Sequence, residues 1–400
     1  MPDSPKPALV CLAQPAWDGD YVKSTVRLIE ALAAHYRVLY VDYAHTLADA
    51  ARAALGRGAA PLGRMLGRED RLRRIDGPHG PIHVLTPPPV LPTRWMDEGP
   101  AFRAALAVNA RIVGHAVRAA MRELSMTDPV VVTAFAPQLG LPLVGQLGER
   151  ARIYYGYDEI AAAPWVGKHG ARLEAEYLAH ADAVVVTSEG LRKSRGAQHG
   201  AVHLVPNGVD FDLFYPAANR QPEGARPCVG FIGSLDERVD YALLGALVER
   251  RADLDFLFVG RATAPEAEAL AAHANVTLAG PHPPDALPGF LGQMDVGIIP
   301  FQVTRFTRSI YPMKLNEYLA AGRPVVTTPF APLGDAEAHV YTASDVPVFS
   351  QALDLALRDR GLAARSRRVA FARQNTWAAR ADAFAAVVEQ TPAAPHRRAA

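Results

Sequence analysis

The sequence predicts an α/β fold made of two doubly wound parallel-sheet domains. Short apolar runs alternate with helical patterns along the chain, and each run is apolar throughout instead of alternating with polar residues. Strands of this kind are buried on both faces, as in parallel sheets covered by helices. A length of 400 residues is sufficient for two cores. One break in the pattern separates two sets of strands, which gives two domains.

The first set of strands fills the N-terminal half. A helix is predicted from about Tyr21 to His35 and a longer helix from about Pro100 to Leu124, because apolar residues recur there at helical spacing. The predicted strands of this half lie in segments 8–13, 37–42, 82–92, 129–135, 152–157, 183–188 and 202–207.

The second set of strands follows a polar break. Segment 207–227 is rich in Gly, Pro and Asn and is predicted to be a linker. The strand pattern restarts in segments 228–234, 255–260, 275–280, 295–301 and 324–328. We therefore expect a Rossmann-like domain over 1–206, a second over 228–374, a final amphipathic helix over 375–390 and a flexible tail over 391–400. Ligands of open α/β sheets bind at the carboxyl ends of strands, so a cleft between two facing sheets is the expected site.

Composition excludes several classes of protein. Half of the residues are hydrophobic, 21% are charged and the formal net charge is +1, so no nucleic-acid partner is expected. The two cysteines, Cys11 and Cys228, lie far apart in apolar runs, which is typical of buried thiols in a reducing compartment. The start of the chain lacks a signal-peptide pattern, and the longest uncharged stretch is broken by prolines. We expect a cytoplasmic protein.

One short motif suggests chemistry. In "SIYPMKLNEYLAAGRPVV", residues 309–326, Lys314 and Glu317 lie three apart at the predicted start of a helix. A helix N-terminus and a lysine favour an anion, and a carboxylate can accept two hydrogen bonds from a diol. A phosphate beside a ribose fits these features. The alternative is a surface salt bridge between the two side chains.

This motif and three others carry a resemblance. The segments are "VHLVPNGVDFDLFYP" (202–216), "VGFIGSLDERVDYALL" (229–244), "NVTLAGPHPPDALPGFLGQMDVGIIPF" (275–301) and "TRSIYPMKLNEYLAAGRPVV" (307–326). In this order they resemble GT-B glycosyltransferases of the family 4 type. The resemblance implies two Rossmann-like domains facing across a cleft, with a nucleotide-sugar site in the second and a final helix that crosses back to the first.

The resemblance also implies roles for single residues. Glu317 matches the carboxylate that holds the ribose hydroxyls of the donor. Arg238 and Lys314 match basic residues near the diphosphate, and Arg308 belongs to the same signature. Ser309 stands where the family has a first glutamate.

The loops after two strands complete the expected donor site. Backbone N–H groups near Gly233 and Ser234 are expected to approach a phosphate, although "GFIGS" is also compatible with a plain tight turn. Ser234 replaces an arginine that is common in the family. Residues Gly280, Pro281 and His282 match the loop near the nucleobase.

Candidate catalytic residues come from the first domain. Asp18 and Asp20 follow the first strand, and Asp158 follows a later strand of the same sheet, so all three are candidates for a place near the acceptor hydroxyl. Asp20 is equally compatible with a helix cap. Two Asp-x-Asp sequences, 210–212 and 253–255, lie in the hinge and before a strand, so no metal site is predicted.

Segment 51–75 holds seven arginines against Glu69 and Asp70. Such a run is compatible with a solvated face, or with contact to an anionic membrane surface or a phosphate-bearing acceptor. The sequence leaves these interpretations open.

The predicted function is transfer of a sugar from a nucleotide-diphosphate donor to a hydroxyl of a sugar or an aglycone. The resemblance implies retention of configuration and no metal or other cofactor, with hinge closure to exclude water. A nucleotide-sugar epimerase and a non-catalytic partner protein remain alternatives within the fold. A dinucleotide-dependent oxidoreductase is disfavoured because no G-x-G-x-x-G follows a predicted strand.

Overall fold

A computed structural model of the chain describes residues 6–19, 23–163 and 166–392. The chain divides into two compact units. The first holds the described residues of Met1–Thr187, Leu191–Val205 and Ala381–Ala400, and the second holds Ser188–Gly190 and Pro206–Arg380. The predicted tail over 391–400 and the predicted helix start at Tyr21 lie largely or wholly outside the described residues.

The described residues of the first unit form an eight-stranded sheet in the order β3-β4-β2-β1-β5-β6-β7-β8. The strands are β1 Ala8–Ala13, β2 Arg37–Val41, β3 Leu72–Gly77, β4 Gly80–Leu85, β5 Val130–Ala134, β6 Ala151–Gly156, β7 Ala183–Val186 and β8 Val202–Leu204. The helices are α1 Ser24–Leu32, α2 Leu47–Ala54, α3 Leu62–Met65, α4 Pro100–Glu123, α5 Pro137–Gly140, α6 Gly170–Leu178 and α7 Glu189–Gly196.

One strand of this sheet was not predicted. Strand β3 pairs antiparallel with β4, and the turn between them joins Gly77 to Gly80. The remaining neighbours are parallel. Strand β3 begins inside the arginine-rich segment 51–75 and ends at Gly77, and its Arg73 and Arg74 make the strand look like a polar run in the sequence. Most of segment 51–70 is exposed, as a solvated face would be, and only the end of the segment pairs into the sheet.

The second unit contains a six-stranded parallel sheet in the order β11-β10-β9-β12-β13-β14. Its strands are β9 Cys228–Ile232, β10 Asp255–Val259, β11 Val276–Gly280, β12 Val296–Ile299, β13 Val325–Thr327 and β14 Val340–Thr342. Its helices are α8 Phe211–Phe214, α9 Tyr241–Arg250, α10 Pro265–Ala269, α11 Leu287–Leu291, α12 Met313–Ala320, α13 Val346–Arg358 and α14 Leu362–Gln374, and the last helix, α15 Trp377–Gln390, begins in this unit. The predicted fold class of two Rossmann-like α/β sheets is confirmed.

The segment predicted as a linker contributes to the core of the second unit. Phe211 and Phe214 of α8 are buried there, and the Asp210 side chain caps α8 by accepting a hydrogen bond from the Leu213 amide. Val209 forms a bridge with Thr376 just before α15. The segment has apolar residues at helical spacing among its Gly, Pro and Asn residues, and these fold onto the sheet.

None of the helices in the described part of the chain combines the length and the apolarity that a membrane span requires.

Candidate functional site

The amino group of Lys314 lies over two aromatic rings, Phe231 and Phe301, near the end of strand β9. Its Nζ is 3.6 Å from the ring centroid of Phe231 and 5.0 Å from that of Phe301. Gly233, just after β9, has φ +128°, and a Cβ there would lie 2.7 Å from the same Nζ. A side chain at position 233 would therefore push Lys314 off the rings, while glycine gives the backbone its conformation and the lysine its space.

A second cation shares one of these rings. The guanidinium carbon of Arg238 is 5.5 Å from the ring centroid of Phe301. Asp236 orients this guanidinium by accepting two hydrogen bonds, from Nε at 2.8 Å and from Nη2 at 2.6 Å. The structure thus gathers two basic side chains, Arg238 and Lys314, around a single ring.

The loops after three neighbouring strands meet beside this pair. The Gly233 amide donates to the carbonyl of Val259 (2.8 Å), and the Gly260 amide donates to the carbonyl of Gly280 (2.8 Å). Beyond Gly280, the ring of His282 packs on Phe290 with centroids 4.5 Å apart. The carboxyl ends of β9, β10 and β11 therefore form one edge, which is where open parallel sheets bind ligands.

Helix α12 is fixed on the sheet by its buried side chains. The hydroxyl of Tyr318 accepts a hydrogen bond from the Ile232 amide (2.8 Å) and donates to the carbonyl of Ile298 (3.4 Å). Gly297 makes room for this ring, since a Cβ there would lie 2.7 Å from the ring carbons. Asn316, also buried, donates to the carbonyl of Asn207 (3.0 Å). These contacts fix the position of the helical turn that carries Lys314 and Glu317.

A Tyr318→Phe variant is expected to lose about 1–2 kcal/mol of unfolding free energy, because the buried Ile232 amide would have no acceptor. Tyr241→Phe is the matched control. The Tyr241 hydroxyl is buried and has no hydrogen-bond partner among the described residues, so its removal should cost nothing. Urea unfolding of both variants checks this. Equal losses in the two variants would contradict the role given to Tyr318.

Lys314 and Glu317 do not pair with each other. Within the described residues, neither side chain makes a hydrogen bond or an ion pair, although both are partly buried on the same turn of α12. The alternative interpretation of the motif as a surface salt bridge is therefore wrong. An unpaired cation and carboxylate on one helical turn leave binding capacity on both.

The environment of Lys314 and Glu317 shifts both pKa values so that the neutral form of each side chain is favoured. Burial lowers the pKa of Lys314 well below its ordinary value, and the charge on Arg238 lowers it further, against the opposing effects of Asp236 and Glu317. Burial raises the pKa of Glu317 to about 7, and Asp210 adds to the rise while Lys314 opposes it. Burial alone would raise the pKa of Asp236, but its bonds to Arg238 and the charge on Lys314 hold it below its ordinary value. The unpaired groups are thus those that a ligand would stabilise in charged form.

The raised pKa of Glu317 predicts a pH-dependent stability. Between its ordinary value of 4.5 and about 7, the folded protein retains a proton that the unfolded chain has lost. Raising the pH through this window therefore favours unfolding, and above about pH 7 the contribution stays constant. The loss is about 2 kcal/mol after allowance for partial exposure.

Urea unfolding at pH 5 and pH 7.5 tests this dependence. A Glu317→Gln variant has no proton to lose at this position. Its free energy of unfolding relative to that of wild type should therefore be about 2 kcal/mol higher at pH 7.5 than at pH 5. If the difference in unfolding free energy between wild type and variant is the same at both pH values, Glu317 does not titrate as described.

The remaining donor-site candidates occupy different surroundings. Ser234 is exposed in the loop after β9. Arg308 is exposed on a 3₁₀ turn over Thr307–Ser309, and in the described part of the chain its side chain makes no hydrogen bond or ion pair. Ser309 is buried, and its carbonyl accepts a hydrogen bond from the Ser188 hydroxyl (2.7 Å). Pro281 and His282 are exposed. Their assignment to the donor site stays a prediction.

Of the three candidate catalytic aspartates, two are described. Asp18 is exposed and pairs with Arg73 (2.9 Å) and Arg64 (3.4 Å) of the arginine-rich segment. Asp158 is half-buried after β6. Asp20 lies outside the described residues. The roles of all three stay predictions.

The residue that follows Asp158 belongs to a buried charge network. Glu159 pairs with Arg195 (3.2 Å), which also pairs with Glu174 (2.9 Å). The hydroxyl of Tyr154 donates to Glu174 (2.7 Å). This network anchors the start of the loop that carries Asp158.

Sequence reasoning missed the residues around the motif. It gave no role to Phe231, Phe301 or Asp236, and it considered Asp210 only as part of an Asp-x-Asp sequence in the hinge. Only the spacing of Asp236 two residues before Arg238, compatible with a forked ion pair, could have indicated its role. Among the described residues, no group of three or more His, Cys, Asp or Glu is arranged to hold a metal ion.

The fold is that of the GT-B glycosyltransferases. It matches sucrose-phosphate synthase from Thermosynechococcus elongatus with a TM-score of 0.69 and 18% identity, over 96% of this chain and 98% of that one. It matches Anabaena HepE in complex with UDP with a TM-score of 0.62 and 15% identity, over 96% and 99% of the two chains. At these identities the likeness concerns the fold.

Sequence comparison points to the same class. Residues 226–359, which include Gly233, Arg238, Lys314 and Glu317, match the family Glycosyl transferases group 1. The predicted resemblance to glycosyltransferases is confirmed over this segment, and the family 4 type stays a prediction. A curated relative, TuaH of Bacillus subtilis (strain 168), is named for a glycosyltransferase of teichuronic acid biosynthesis. It is 30% identical over 217 residues, or 47% of this chain, and this match spans about half (53%) of the length of TuaH.

Proposed function

We propose that this protein is a glycosyltransferase that moves a sugar from a nucleotide-diphosphate donor to a hydroxyl acceptor. The observation that carries the proposal is that Lys314 and Glu317 lie on one turn of α12 without an ion pair. A second basic side chain, Arg238, lies beside them and shares the Phe301 ring with Lys314. The family match over 226–359 and the name of the relative TuaH support it.

In this proposal, Lys314 and Arg238 bind the diphosphate. A diphosphate stabilises the protonated form of Lys314, whose pKa burial has lowered, and so restores the charge at the moment of binding. Negative charge builds on the departing diphosphate during transfer, and cations already in place lower the barrier electrostatically. Asp236 keeps the Arg238 guanidinium oriented for this.

Glu317 in turn accepts hydrogen bonds from the two ribose hydroxyls. A carboxylate binds a diol better than a carboxylic acid does, so donor binding is expected to draw Glu317 to its ionised form. Ser234 would offer its backbone amide to the phosphates. The Gly233 amide is already donated to Val259, so the part of Gly233 would be close approach of its backbone. Arg308 and Ser309 would border the sugar, and the loop with Gly280, Pro281 and His282 would border the base. The acceptor side would use Asp18, Asp20 or Asp158.

Two finer features belong to the same proposal. Retention of anomeric configuration follows from the resemblance and is checked by NMR of the product. Independence from metal ions follows from the two cations that the chain itself supplies, and is checked by comparing transfer rates in EDTA and in Mg²⁺.

The proposal is tested with a panel of nucleotide sugars and free nucleoside diphosphates. We expect one nucleoside diphosphate to raise the melting temperature of the protein. The corresponding nucleotide sugar should be hydrolysed slowly in water alone and cleaved faster when an acceptor is present. UDP, which is present in the HepE complex, is the first to try. Stabilisation without cleavage would favour a non-catalytic partner protein, and interconversion of the sugar would favour an epimerase. No stabilisation by any nucleotide would overturn the proposal.

A further inference from the structure

Helix α2 carries an apolar stripe that the protein does not bury. Leu47, Ala51 and Leu55 recur at a spacing of four residues, so they lie along one side of the helix and its end. All three are exposed, Leu47 to 50% and Leu55 to 72%, and none of the eight residues of α2 is buried. A surface helix of a soluble protein usually turns such a stripe toward the core.

Helix α2 is capped locally, and its start is tied to the domain because the Leu47 amide donates to the carbonyl of the buried Val90 (2.8 Å). Thr46 and Asp49 form a reciprocal capping box at its N-terminus, and the Asp49 carboxylate also binds Arg52 (2.6 Å). After α2 the chain folds back, and the Arg57 amide donates to the carbonyl of Arg52 (2.9 Å). The capping box stabilises α2 and the bond to Val90 fixes its start, and in this position its apolar side stays exposed.

Helix α3 extends the same surface. It contacts α2, and Leu66 at its end is 47% exposed. Arg71 closes the following turn by donating to the carbonyls of Arg64 and Met65. Arg64 itself faces Asp18. These two arginines therefore have structural partners and do not belong to the exposed surface.

Two arginines of the segment remain available. Arg57 and Arg68 are exposed, and their side chains make no hydrogen bond or ion pair with any residue that the structure describes. Each lies two residues after an exposed leucine, Leu55 or Leu66. The acids nearby are Glu69, whose carboxylate lies against Gly63, and Asp70.

We propose that the surface formed by segment 47–68 docks the protein on an anionic lipid bilayer. The leucines would enter the interface between headgroups and acyl chains, and the Arg57 and Arg68 guanidinium groups would bind lipid phosphates. Exposed leucines beside unpaired arginines match that boundary in both polarity and charge, whereas a purely solvated face would carry polar residues in their place. This proposal does not rest on the proposed transferase activity.

Cosedimentation of the full chain with lipid vesicles tests it without any substrate. We expect binding to vesicles of phosphatidylcholine with phosphatidylglycerol, weaker binding in high salt, and little binding to phosphatidylcholine alone. Leu55→Ser should weaken binding at least about tenfold. Arg57→Gln and Arg68→Gln should each weaken it about fivefold.

Matched controls separate docking from general changes. Leu362→Ser replaces a leucine that is also 72% exposed, at the start of α14, and Arg250→Gln replaces an exposed arginine of α9. Neither should change vesicle binding. The proposal is overturned if wild type does not bind anionic vesicles, if it binds neutral vesicles equally well, or if Leu55→Ser binds like Leu362→Ser.

Discussion

Replacing Lys314 by methionine is expected to lower the rate of sugar transfer about 100- to 1000-fold, because one of two cations that neutralise the departing diphosphate is lost. The same change should raise the free energy of unfolding by about 1 kcal/mol. Methionine can occupy the space over Phe231 without a charge that burial disfavours. Stability and activity are therefore expected to move in opposite directions.

Transfer assays and urea unfolding of the same preparation check this result. Lys193→Met is the matched control, since Lys193 is exposed on α7 of the first unit, and it should leave both quantities unchanged. A Lys314→Met protein that is less stable than wild type would show that Lys314 is a packing residue. Full activity in that variant would remove it from the donor site.

Glu317→Gln is expected to weaken nucleotide binding about 100-fold. Hydrogen bonds to a charged group contribute about 1.5–3 kcal/mol each, and the amide loses the charge and turns one acceptor into a donor. The fold should not suffer, because the carboxylate makes no hydrogen bond or ion pair with the described residues. At pH 7.5 the variant should be at least as stable as wild type, because ionisation of Glu317, whose pKa is raised in the folded protein, destabilises wild type at that pH.

Isothermal titration calorimetry with the best-binding nucleoside diphosphate measures this loss. Glu249→Gln, an exposed change in the last turn of α9, serves as the matched control and should bind like wild type. The ribose contact can be isolated with the 2′-deoxy nucleotide, which should bind less well than the ribonucleotide to wild type but equally well to Glu317→Gln. A persistent preference in the variant would exclude Glu317 from contact with the ribose.

The strands that the sequence predicted are those with continuous apolar runs. Segments such as 8–13 and 228–234 correspond to β1 Ala8–Ala13 and β9 Cys228–Ile232, because burial on both faces leaves a clear pattern. Strand β3 was missed since the adjacent Arg73 and Arg74 place a charged side chain on each face of the strand, although the glycines that flank the turn at 77–80 indicate a hairpin. Strand β14, Val340–Thr342, was also missed, and it lies at the edge of the sheet, where none of its three residues is buried.

The candidate site was predicted where it lies within one motif and missed where it depends on tertiary structure. Lys314 and Glu317 are three apart in sequence, so their common turn was predictable. Phe231 and Phe301 come together only because β9 and β12 are neighbours in the sheet, an order that periodicity does not encode. The position of Lys314 likewise depends on tertiary structure, because its Nζ lies over the Phe231 ring and forms no ion pair with Glu317.

Comparing the affinities for a nucleoside diphosphate and for its monophosphate tests most directly whether Lys314 binds the second phosphate. Calorimetry should give wild type a preference for the diphosphate of at least about tenfold, and Lys314→Met should lose most of it while still binding the monophosphate like wild type. An undiminished preference in Lys314→Met, or none in wild type, would contradict the account of the site.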